Sequence, residues 1–92
     1  MAVKDRAMSG YDLITYIYDR FEVLLSPGTV YPLLSSMEKE GLIEGFQRNR
    51  KRVYKLTKKG EFLGQLLSAE YVKFHSKLQI LTSLYNRREI SK

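Results

Sequence analysis

Two stretches of this chain carry residues whose types and spacing could do chemistry, and both suit the binding of anions. The first, residues 47–59, reads QRNRKRVYKLTKK and holds seven lysines and arginines with no acid. Charge this concentrated attracts polyanions, nucleic acid first among them, whereas scattered basic residues are more simply a solvated face. The second, SPGTVYPLL, begins at Ser26. Ser26 is placed to cap a helix with Pro27 at the first helical position, where its missing N–H costs nothing. Free backbone N–H groups and the helix dipole at such a start favour a phosphate. Ser26, Gly28 and Thr29 stand at that start, with ordinary capping and turn geometry the competing explanation. Tyr31 falls one turn in and Ser35 one turn further, both off the apolar face.

Other chemistries lack their residues. No nucleophile–base pair stands out, and SPGTVYP lacks the Lys-Ser/Thr ending of a phosphate-binding loop. His75 is the only histidine and cysteine is absent, so no metal site, cofactor or catalysis is expected. No apolar run approaches the roughly 18 residues of a membrane span. The opening MAVKDRAM lacks the apolar core of a signal peptide, and a cytoplasmic protein is expected.

The net charge of +6 is unevenly shared. Residues 1–46 hold four basic and seven acidic residues (net −3), and residues 47–92 hold twelve and three (net +9). A chain of 92 residues suggests one small body with a modest core.

The elements that must position these residues follow from periodicity. Ser9 and Asp12 suggest a capped helix whose Leu13, Ile14, Ile17 and Phe21 share a face. The link EVLL after it has the look of a strand stub. In the second helix, Val30, Leu33, Leu34 and Met37 face a core and Gly41 provides the stop. Pro32 removes the N–H that would bond the carbonyl of Gly28, so the helix start is shaped to present Thr29 and Tyr31 outward. LIEGFQ and RVYKLT read as two strands of a hairpin tipped by RNRK, with Tyr54 and Leu56 turned inward. Thr57 caps a last helix over residues 58–86. Its Leu67, Tyr71, Phe74, Leu78, Leu81 and Tyr85, spaced 4, 3, 4, 3, 4, form a heptad seam suited to a partner subunit, with folding back on its own body the alternative.

Two helices followed by a hairpin make a winged helix-turn-helix, in which the second helix enters the DNA major groove. The runs GYDL, LSPGTVYPLLSSMEKEGLIEG and RKRVYKLTKKGE resemble the PadR family of transcriptional regulators over residues 9–61, with a single C-terminal helix as in its shorter subfamily. The resemblance implies a homodimeric DNA-binding repressor, often released by a small aromatic ligand. It also implies an apolar helix before GYDL, where this chain has only MAVKDRAM. The apolar surface so left on the two helices is expected to be covered by the partner's C-terminal helix.

The expected fold is mainly α with a small β-hairpin: a winged helix-turn-helix in residues 1–57 and a long dimerisation helix with its tail in residues 58–92. The expected partners are double-stranded DNA, a second copy and a small aromatic effector, with no membrane. DNA contacts are expected from Tyr11, Ser26, Gly28, Thr29, Tyr31, Ser35, Arg48, Arg50, Lys51 and Arg52. Phosphate contacts supply affinity and base contacts supply choice. The rival reading is a protein-docking module whose long helix is a coiled-coil strand.

Overall fold

In the computed structural model, which describes residues 7–90, the first helix starts where its capping residues require. A two-residue strand β1 (Met8–Ser9) leads directly into α1 (Gly10–Phe21). Ser9 Oγ accepts from the Asp12 N–H at 3.0 Å, and Asp12 Oδ2 accepts from the Ser9 N–H at 3.2 Å. Aspartate is short for this reciprocal arrangement, yet both bonds form. Leu13 and Ile17 are wholly buried, with Ile14 and Phe21 packed beside them. The helix ends on Glu22 in the left-handed region (φ 57°), and its N–H donates to the Tyr18 carbonyl. The expected strand stub at EVLL is absent: residues 22–26 are a loop that carries Leu25 into the core.

Helix α2 (Pro27–Lys39) runs through Pro32 without a break. Val30, Leu34 and Met37 are fully buried and Leu33 is half-buried, as the spacing predicts. Its end is a Schellman turn. The Leu42 N–H donates to the Met37 carbonyl and the Gly41 N–H to that of Glu38, while Gly41 takes a φ of 78°.

The hairpin follows as β2 (Ile43–Arg48) and β3 (Lys51–Leu56). Asn49 and Arg50, with φ of 51° and 68°, make a two-residue tip of the kind whose twist suits a hairpin. β1 pairs with the other side of β3, Met8 opposite Tyr54, to give a three-stranded antiparallel sheet in the order β1-β3-β2. Tyr54 enters the core and Leu56 packs against it. Val53, expected on the open face, is buried too, because it lies opposite Ser9 of β1.

Thr57 caps α3 (Lys58–Leu66), its Oγ1 accepting from the Gly60 N–H at 3.1 Å. The same hydroxyl donates to the Gly41 carbonyl, and the Thr57 N–H donates to that of Leu42. The start of α3 is thereby tied to the turn that ends α2.

The single helix expected over residues 58–86 is replaced by three. α3 stops at Leu66, a short α4 spans Ala69–Val72, and α5 runs Ser76–Ile90. The reversal carries Ile80, Leu81 and Leu84 into the same core as Leu13, Ile17 and Val30, at 0–2% exposure. Each large apolar side chain fully buried is worth about 1.5–3 kcal/mol, which outweighs the few helical hydrogen bonds given up at two breaks. Gly60 and Gly64 also make α3 a weak helix to prolong. The apolar surface left on α1 is covered by α5 of the same chain, and α2 joins the same core.

The heptad seam is accordingly dispersed. Leu81 lies in the core, Leu67 packs at its margin and Leu78 is half-buried. Tyr85 sits against Gly64, where an added Cβ would come within 3.0 Å of its ring. Phe74 is left 80% exposed, and the Tyr71 side chain lies outside the described residues.

Candidate nucleic-acid interface

The outer side of α2 is polar because its inner side is committed to the core. Ser26, Gly28, Thr29 and Ser35 are exposed. Ser26 adopts the extended backbone of a cap, but its hydroxyl donates to Thr29 Oγ1 at 3.3 Å and not to or from a backbone group. Pro27 has no N–H, and the Thr29 and Val30 N–H groups both donate to the Ser26 carbonyl, so at this start the Gly28 N–H is the one left to meet an anion among the described residues. No metal cluster is found among the described residues, and none of their helices is long and apolar enough to cross a membrane.

Tyr31 is packed on one side and open to solvent on the other. It is 45% exposed, and its ring lies directly on Gly10 at the start of α1. A Cβ at Gly10 would stand 2.6 Å from Cζ and 2.7 Å from the hydroxyl oxygen, so only glycine permits this seat. The exposed Tyr11, next to Gly10, is brought to the same edge as Tyr31. Tyr54 is also close enough for Tyr31 and Glu38 to act on its phenol. Burial above all pushes that phenol above its ordinary 10.0, with Arg52 opposing the rise.

Arg50 at the hairpin tip and Lys51 beside it are exposed, with no ion pair to either among the described residues. Arg48 is half-buried and lies over the Phe46 ring at 5.2 Å, and Lys55 approaches the same ring at 5.7 Å. Arg52 is engaged differently. Its Nη2 donates to Glu38 Oε2 at 3.0 Å, and its guanidinium stands 5.8 Å over the Tyr54 ring. The same carboxylate oxygen accepts from the Gly45 N–H at 3.1 Å. Further along, Lys59 donates to the Glu40 carbonyl and Lys77 pairs with the Glu40 carboxylate, placing two cations at the negative end of α2.

Sequence reasoning did not single out Glu38, Gly10 or Gly45. Gly45 carried a usable signal, since a glycine inside a strand pattern marks a close approach. Glu38 carried little, because its partners lie seven and fourteen residues away.

A helix pair with an exposed second helix, followed by a hairpin with a charged tip, defines a winged helix-turn-helix protein. Residues 1–63 match the transcriptional regulator PadR-like family, and the chain belongs to that family. No curated protein and no solved structure matches it.

Proposed function

We propose that this member of a family of transcriptional regulators is a sequence-specific, homodimeric DNA-binding repressor. The observation that carries the reading is the pairing of two exposed features on one small body. The polar outer side of α2 can enter a major groove, and the Arg50–Lys51 tip can reach a flanking phosphate or the minor groove.

The chain's longest extent is 33 Å, about one turn of DNA. One copy thus serves one half-site, and two copies read half-sites roughly 34 Å apart or a multiple of that. Phe62, Leu66 and Phe74, each more than 60% exposed, supply apolar surface for that association. Release by a small aromatic molecule belongs to the same proposal. A cleft of about 310 Å³ between α1 and α5, walled by Phe21 and Tyr85, offers it an aromatic seat.

Duplex binding at graded salt tests the reading. Affinity should fall steeply from about 50 to 200 mM salt, and R50A/K51A should flatten the log–log slope by about 1.8 per copy bound, near 0.9 for each lost phosphate contact. Negligible affinity for every duplex at low salt would instead favour the docking module.

A further inference from the structure

An acid sits against the most basic part of this chain. A solvated carboxylate there would only repel a DNA backbone, and Glu38 is not simply solvated. It occupies the last turn of α2 with its side chain 29% exposed. One of its oxygens joins three elements, its own helix, the Gly45 N–H of β2 and the Arg52 guanidinium of β3. β2 is the edge strand of the sheet, so Glu38 takes up an N–H that β3 leaves unpaired. Glycine at position 45 makes this possible. A Cβ there would stand 2.9 Å from both Glu38 Oε2 and Arg52 Nη2 and 3.0 Å from the Tyr54 ring. Charge-assisted hydrogen bonds of this kind are directional as well as strong. An isolated exposed ion pair would fix little, but this one includes a backbone amide and a ring.

We infer that Glu38 is the positioning residue that fixes the angle between α2 and the β2–β3 hairpin, and that Arg52 serves this latch and not a phosphate. The inference rests on the DNA reading above. With the angle fixed, α2 and the hairpin tip engage the duplex in a single register, so the latch governs discrimination between sequences more than attraction to DNA.

The test uses the full chain, a duplex selected from a random pool and an unrelated duplex, compared by fluorescence anisotropy at several salt concentrations. Glu38→Gln raises the net charge by one, yet its preference for the selected duplex should fall about tenfold, the discrimination of roughly one base pair. Arg52→Ala should lose the same preference, and the double variant should be no worse than either single one. Arg52→Lys keeps the charge but not the planar fork, so it should fail as Arg52→Ala does. The proposal is overturned if Glu38→Gln binds both duplexes as well or better with its preference intact. It is equally overturned if Arg52→Ala weakens both duplexes alike and Arg52→Lys restores them, which is the behaviour of a phosphate contact.

Amide exchange at Gly45 separates the latch from the DNA reading. Exchange should quicken in Glu38→Ala relative to wild type, in samples whose circular dichroism confirms folding. No change there removes the latch even if DNA binding stands. Failure of the wild type to bind any duplex removes the DNA reading, and the role in discrimination with it, even if the Gly45 amide responds.

Discussion

Replacing Leu84 by alanine tests whether the C-terminal part folds back onto its own chain. Leu84 is 2% exposed beside Ile80 and Leu81. Truncating a leucine so buried costs about 2.7–5 kcal/mol, the lost transfer energy plus the cavity left behind. A value of about 3 kcal/mol is a large share of the roughly 5–14 kcal/mol expected for a domain of this size. In a domain of this size each kcal/mol moves the midpoint by about 4–8 °C, so the melting temperature should drop by about 12–24 °C. Phe74→Ala is the control. Phe74 is 80% exposed, so its truncation should change stability by no more than about 0.5 kcal/mol. The assay is thermal and urea unfolding followed by circular dichroism at two protein concentrations tenfold apart. A continuous coiled-coil helix reverses the ranking, because Phe74 then lies on the 4-3 seam and Leu84 off it. A small cost for Leu84→Ala with a large, concentration-dependent cost for Phe74→Ala would refute the packing described above.

Other expectations follow from single contacts. Gly60→Ala should destabilise the fold by about 3 kcal/mol in urea titrations, because its Cβ meets the Leu42 carbonyl oxygen, a backbone atom that cannot yield. Glu22→Gly should raise the melting temperature by roughly 2–4 °C, since a left-handed helix end suits glycine better than a side chain. The Tyr54 phenol is raised by burial, so the folded chain holds this proton more tightly than the unfolded chain does. Its contribution is intact below pH 10.0 and is lost as pH rises through the folded value. Melting between about pH 9 and 11.5 should show this loss, and Tyr54→Phe should reduce it.

The first half of the chain was legible because its signals are local. A cap, a 3-4 spacing and a glycine stop lie within a few residues of one another in α1 and α2, and each fixed its element. The hairpin was legible in alternation, though its tip proved to be Asn49 and Arg50 alone. The two-residue β1 is too short to leave a pattern, and without it the burial of Val53 had no visible cause. The C-terminal part was misread because Leu67, Leu78 and Leu81 satisfy a heptad as well as a folded-back core. Ile80 and Leu84, off the seam, decide between them, and the helix they cover, α1, lies more than fifty residues earlier. The pairing of Arg52 with Glu38 left no local signal for the same reason. A charge pair made across fourteen residues depends on how the hairpin leans against α2, which periodicity does not encode.

The place of α5 in the core also orders events at the ribosome. The helices and hairpin of residues 8–56 are synthesised first, but Ile80, Leu81 and Leu84 complete the cluster that holds them. A nascent chain stalled before residue 80 therefore keeps apolar surface of α1 open to water and to chaperones. α5 acts as the keystone of that cluster. Until α5 docks, the face of α1 that lines this cluster has no cover, although α2 already rests on α1 and the hairpin.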